Sequence, residues 1–320
     1  MGISHYIKEI GRGARGAKPL AREQARDLFG QVLDGRVTDL EIGAFCLAMR
    51  IKGETPDELG GFLDATHERL ARFPALPGAQ PLIVLPSYNG ARKLPVLTPL
   101  FALLLAREGL PVLLHGSQTE TRRVTAASVL EAMGMAPLTS VRGVSDGELV
   151  HASTELLHPG LKRLLDVRQV VGLRNPGHSV VKLMLPAEGT QQLLISSYTH
   201  PAYAESMAET FAMLQMNALL SRGLEGESVA DPRRTAQVDG FVRGQRIELQ
   251  AQQSGTLSDV PGLPEAIDLH TTVDYTRRVL DGHLPVPQAI AQQVQHVLQL
   301  CALLKSDPSH PTKAPVAVPA

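Results

Sequence analysis

Two short apolar runs, "LIVL" at 82–85 and "PVLLH" at 111–115, flank the helix-like segment "LTPLFALLLAREG". Strand, helix and strand in that order make a βαβ crossover, and the strands of a crossover lie parallel. A parallel sheet is covered on both faces, which is why both runs are continuously apolar rather than alternating. This unit commits the chain to an α/β architecture with a mostly parallel central sheet. "TAASVLEAMG" supplies the next helix, and "VVKLML" (180–185) and "QLLIS" (192–196) read as further strands. "AESMAETFAMLQM" and "PQAIAQQVQHVLQLCALLK" read as helices, the second with Ile290, Val294, Val297, Cys301 and Leu304 as its buried stripe.

Upstream of residue 75 the pattern is helical throughout. Thr38-x-x-Glu41 and Thr55-x-x-Glu58 both fit a capping box, and Pro56 sits at the favoured first helical position. Gly53 stands where a helix ends. The predicted organisation is a small α-helical domain (1–75, joined by part of 145–180), a larger α/β domain (76–305), and a Pro-rich tail (306–320) expected to be disordered. "FPALPGAQP" (73–81) reads as a hinge.

The 320-residue chain has a formal net charge of −1, so any nucleic-acid surface must be a local patch. Cys46 and Cys301 lie in apolar helical patterns without a CxxC partner, which predicts buried free thiols in a reducing compartment. "MGISHYIKEIGRG" lacks an apolar signal core, and no run approaches eighteen apolar residues. A cytoplasmic protein with no membrane partner is expected.

Several motifs fail their context. "GRGARG" (11–16) matches GxGxxG, but no strand precedes it, so a flexible basic turn is expected. No Ser or Cys sits in a nucleophile elbow. His115, at a strand end, reads equally as a ligand contact or as a structural side chain. The paired acids Glu225 and Glu227 could hold Mg²⁺, but with Arg222, Arg233 and Arg234 close by they read rather as a solvated charged loop.

Local charge says more. Residues 88–123 hold five basic and two acidic side chains, and residues 158–185 hold five basic and one acidic. Both stretches include loops expected at the carboxyl ends of strands, where α/β proteins bind ligands. The loop in "IVLPSYNGARKLP" stands where phosphates usually bind, yet it offers only one glycine.

The order of these motifs, with "AMRIKGETPDELGGF", "HG", "SVLEAMG" and "HPGLKRLLDVRQVVGLR", resembles the anthranilate phosphoribosyltransferase family (glycosyl transferase family 3) over roughly residues 5–305. The resemblance implies a phosphoribosyltransferase architecture of the type II nucleoside phosphorylase kind, dimerising through the helical domain. It also locates what this chain lacks. The family's Gly-Thr-Gly-Gly-Asp diphosphate loop falls on Leu85, Pro86, Ser87, Tyr88 and Asn89, followed by Gly90. Its Lys-His-Gly-Asn-Arg segment falls on Leu114 to Gln118, keeping His115 and Gly116 but placing Ser117 in the next position. Its magnesium-holding Asp-Glu pair falls near Ser228 and Val229. Arg168, Gly172 and Arg174 remain in the region that carries the acceptor-binding arginine.

No catalytic residue, metal or cofactor is therefore expected. "KEIGRG", "RIKGE" and the GxEGE pattern are similar to a branch of the family whose members bind DNA as homodimers. The resemblance implies nucleic-acid binding, single- or double-stranded and of low specificity, with the homodimer as the second partner relation. The candidate contacts are Arg92, Lys93, Arg122, Arg123, Lys162, Arg163, Arg168, Arg174 and Lys182. The alternatives are a phosphoribosyl or glycosyl transferase with an altered donor or substrate, and a small-molecule sensor on the same scaffold.

Overall fold

The computed structural model describes residues 2–13, 15–76, 78, 80–117 and 122–306. Helices α1 (Ser4–Ile10), α2 (Arg22–Leu33), α3 (Asp39–Lys52) and α4 (Pro56–His67) come first. Both capping boxes form. Thr38 Oγ1 accepts from Glu41 N at 3.3 Å while Thr38 N donates back to Glu41 at 2.9 Å, and Thr55 and Glu58 repeat the exchange at 3.3 and 3.0 Å. Glu58 is fully buried, receives Leu20 N at 2.9 Å, and pairs with Lys52. That one carboxylate therefore ties α3, α4 and the chain entering α2 together. Phe29 stacks on Phe62 with ring centroids 4.6 Å apart, and Phe45 meets Phe62 edge-on at 6.0 Å, so one aromatic from each of three helices closes the small core.

The larger part runs β1 (Leu82–Pro86), α5 (Thr98–Arg107), β2 (Val112–Gly116), α6 (Ala126–Ala132), β3 (Leu149–Ser153), α7 (Thr154–Leu157), α8 (Pro159–Val171) and α9 (Gly177–Val180). Then come β4 (Gln192–Tyr198), α10 (Pro201–Met213), β5 (Ala218–Arg222), β6 (Val238–Val242), β7 (Gln245–Gln250), α11 (Leu269–Leu280) and α12 (Gln288–Lys305). The sheet order is β3-β2-β1-β4-β5-β6-β7. The first five strands in that order are parallel, and β6 and β7 close the edge antiparallel. A turn at Arg243 (φ 49°) and Gly244 (φ 76°) joins these last two, the backbone that a tight hairpin needs.

Successive strand residues feed opposite cores. Ile83, Leu85, Val112 and Leu114 pack with α5, α6, α11 and α12. Leu82, Val84, Leu113 and Val150 face the helical layer and join its aromatic cluster in one continuous core. Helix α8 belongs to the seam. Arg163 donates to Val32 O at 2.9 Å, and a Cβ on Gly160 would lie 2.2 Å from Leu33 O.

Two expectations change. "FPALPGAQP" is no hinge at its start, because Phe73 is fully buried and its N–H donates to Pro186 O at 2.8 Å. "VVKLML" forms no strand. Its residues end α9 and continue as a turn, with Val180, Val181, Leu183 and Met184 all buried. Apolar periodicity over six residues does not separate a strand from a buried turn. Of the expected tail, residues 307–320 lie outside the described residues.

Candidate anion cradle at the sheet edge

The chain runs outward from β1 to β2 and β3, then returns to lay β4 against the other side of β1. The reversal leaves a crevice at the carboxyl ends of β1 and β4, the usual ligand position in an open α/β sheet. Ser87 to Gly90 cross that crevice. Gly90 has φ +69°, and a Cβ there would lie 2.6 Å from Val124 O, so this glycine is obligatory. Gly116 ends β2 so close to β1 that a Cβ would overlap Ser87 O.

The loop's amides converge. Tyr88 N, Asn89 N and Gly90 N donate to one oxygen, Glu227 Oε1, at 3.2, 2.7 and 3.0 Å. Ser87 Oγ and Thr98 Oγ1 donate to the other oxygen, Thr98 at 3.0 Å. Glu225 takes Arg92 N at 2.6 Å and Lys93 N at 2.9 Å. Three backbone N–H groups on one anionic oxygen is the geometry by which loops hold phosphate. Here the anion is the chain's own. Glu227 is 2% exposed, which overturns its reading as a solvated loop residue.

The segment 223–230 is shaped for this insertion. Glu225 and Gly226 both have positive φ, 54° and 87°. Asn89 Nδ2 donates to Gly226 O at 2.8 Å, and Ser228 Oγ donates to Pro86 O at 2.8 Å. Gln293, from α12, braces the far side through Ser228 O at 3.1 Å. The family's magnesium does not fit these residues. Ser228 has its hydroxyl on Pro86, Val229 is fully buried, and neither is a carboxylate.

Cations surround the cradle. Arg174 donates to Asn89 Oδ1 at 2.6 Å, and Arg123 to Asn89 O at 3.1 Å. Lys182 lies 5.8 Å from the Tyr88 ring centroid and donates to Ser197 O at 3.3 Å. Burial lowers Lys182 to about 8, Arg174 adds to the fall, and the Glu227 charge opposes it. Tyr88 is buried with its hydroxyl on His178 O, and burial pushes its pKa up. Arg168 is close enough to act on the charge state of both Tyr88 and His178. Arg92, Lys93 and Arg122 are exposed on the rim.

The structure thus brings Arg92, Lys93, Arg123, Arg174 and Lys182 around one loop. Lys162 and Arg163 are engaged elsewhere on α8, Lys162 with Asp166 and Arg163 with Val32. His115 is fully buried, neither ring nitrogen has a hydrogen-bond partner among the described residues, and burial lowers it to about 3. It is a neutral core side chain. Ser117 Oγ accepts from Thr154 N at 3.1 Å, a structural contact.

Known proteins share this architecture. Residues 4–69 match the helical bundle domain of the glycosyl transferase family. The uncharacterized protein YbiB of Escherichia coli K12 is 38% identical over 300 residues, covering 92% of each chain. The chain belongs to the anthranilate phosphoribosyltransferase superfamily, in its YbiB branch. The anthranilate phosphoribosyltransferase of Methylobacterium nodulans is 28% identical over 87% of this chain and 82% of its own. The Thermus thermophilus enzyme shares the fold with a TM-score of 0.69 at 19% identity, over 96% of this chain and 90% of that one. A Saccharomyces cerevisiae anthranilate phosphoribosyltransferase solved in complex with PRPP and Mg follows at 0.66 and 12% identity, over 94% and 88%.

Proposed function

We propose that this protein binds nucleic acid with low sequence specificity, as a homodimer, through cations at the carboxyl edge of its sheet, and that it has no phosphoribosyltransferase activity. One observation carries the reading. The amides that a diphosphate would need already hold Glu227, while Arg92, Lys93 and Arg122 remain exposed beside them. A donor diphosphate and Glu227 would require the same N–H groups, and two anions do not share them. Backbone phosphates of a polymer need no buried cradle. They need exposed cations, and their contribution falls with salt.

Fluorescence anisotropy with labelled single-stranded DNA tests this. For single strands, each neutralised phosphate contributes about 0.7 to the slope of log affinity against log salt. The triple reversal R92E/K93E/R122E is expected to flatten that slope by about 2. At 0.1 M salt the same factor predicts a loss of roughly 100-fold in affinity. Arg123 is left in place because it braces Asn89. Wild-type affinity in the triple variant would reject this surface, and absence of binding at low salt would reject the function.

The dimer surface is proposed on α3, where Leu40 (84% exposed), Leu47 (47%) and Ile51 (62%) form one apolar stripe. Ile7, Ala44 and Ala48 line a shallow groove of about 260 Å³ beside it. The variant L47E/I51E is expected to sediment as a folded monomer where the parent sediments as a dimer. A dimeric variant would move the interface elsewhere.

A further inference from the structure

We propose that Tyr203, with His200 beside it, is a base-stacking platform, so that a single strand held on the exposed cations sets one unpaired base against the Tyr203 ring. The inference rests on the nucleic-acid reading above. It assigns a place to the bases, which phosphate contacts leave free.

The chain has seven phenylalanines, five tyrosines and no tryptophan. All seven phenylalanines, Tyr88 and Tyr275 are buried, and Tyr6 and Tyr198 are half-buried. Among the described residues, Tyr203 is the one phenylalanine or tyrosine that is exposed, at 46%. It stands in the first turn of α10, just past the carboxyl end of β4, and its N–H donates to His200 O at 3.0 Å. The exposed His200 ring lies 6.3 Å from the Tyr203 ring and is tilted by 51° to it. Pro201 and Ala202 between them are exposed and uncharged, and the first turn of α10 carries no acidic side chain. No carboxylate there repels a phosphate backbone.

The segment that leads into this platform packs on the turn that carries the rim. Ser197 Oγ, near the end of β4, donates to Gly226 O at 3.3 Å, and a Cβ on Gly226 would lie 3.6 Å from Thr199 Cγ2. The preceding residue, Glu225, holds Arg92 N and Lys93 N. Exposed Arg222 ends β5 opposite Tyr198. Cations and an aromatic face thus share one edge of the sheet. A protein partner would need about 800 Å² of surface on this side, far more than one ring supplies. A nucleobase matches a ring in size, and single-stranded bases stack on aromatic side chains without regard to sequence. In a duplex the bases already stack on one another. Stacking releases no counterion, so it adds affinity and leaves the salt dependence to the cations.

The test is anisotropy titration of the full chain with labelled single-stranded and duplex DNA of equal length, at several salt concentrations. Y203A is expected to bind the single strand about 10-fold more weakly, the loss of one stacked base, with an unchanged salt slope and unchanged duplex affinity. Y203F, which keeps the ring, is expected to bind as the wild type does. Because the chain has no tryptophan, Y203W carries a single indole at the platform. Its emission is expected to be quenched on saturation with the single strand and to stay unchanged with the duplex. Y203A binding the single strand as tightly as the wild type overturns the proposal. So does an equal loss on both forms of DNA, or a Y203W emission indifferent to a bound single strand. A wild type that binds no DNA rejects the nucleic-acid reading and this inference with it. A wild type that binds while Y203A is indistinguishable from it rejects the platform alone.

Discussion

The protein is expected to lose most of its stability between pH 6.5 and pH 5. Four histidines, His67, His115, His158 and His178, are held well below their ordinary value, to about 4, 3, 4 and 3 respectively. Burial is the first cause in each case. Arg72 adds to it at His67, Arg69 at His158, and Arg174 and Arg168 at His178. Each therefore stays neutral in the folded chain at a pH where the unfolded chain, with a pKa of about 6.5, takes up a proton. The folded value is depressed, so the stability is present above pH 6.5 and lost as pH falls toward 4 and 3. One proton corresponds to about 1.4 kcal/mol per pH unit. The unfolded histidines are half charged at pH 6.5 and almost fully charged at pH 5, so four of them come to roughly 6 kcal/mol, comparable to the whole stability of a typical domain. Urea unfolding at pH 7.5, 6.5 and 5.5 reads this directly, and an unchanged midpoint would refute it. H115L should remove one proton from the dependence without cost at pH 7.5, because His115 leaves no partner behind among the described residues.

The second large effect belongs to Glu227. E227A is expected to destabilise the protein by about 3–5 kcal/mol, the cost of stripping one partner from a buried charged network. Five donors lose their acceptor: the amides of Tyr88, Asn89 and Gly90 and the hydroxyls of Ser87 and Thr98. E227Q keeps the shape and one carbonyl oxygen, so its loss should stay near 1–2 kcal/mol. Chemical denaturation at pH 7.5 separates the two. Equal losses would mean that the carboxylate charge contributes nothing to holding the loop.

Local signals in the chain carried the framework. The crossover at 82–115 specified a parallel pair, and it is present as β1, α5 and β2 with Ile83 opposite Val112. Both capping boxes were readable at Thr38 and Thr55 because their partners are three residues away. The stripe of Ile290, Val294, Val297, Cys301 and Leu304 is buried as its spacing required. The resemblance to phosphoribosyltransferases was readable for the same reason, as short motifs in a fixed order.

Tertiary structure decided what lies between distant segments. Strands β3 and β5 and the β6–β7 hairpin carry apolar content too short to distinguish from other buried segments, and they become strands by pairing with neighbours. The anion cradle is the sharpest case. Glu227 meets Tyr88 from 139 positions away in the chain. In sequence it sits among arginines and reads as solvated. In the fold it is the carboxylate that the three amides of Tyr88, Asn89 and Gly90 hold together. A loop without its phosphate-binding glycines could be recognised from sequence as altered. That its amides still converge, and on what, depended on the sheet order that brings the loop after β5 back over the end of β1, because backbone donors have no sequence signature and are aimed only by the fold.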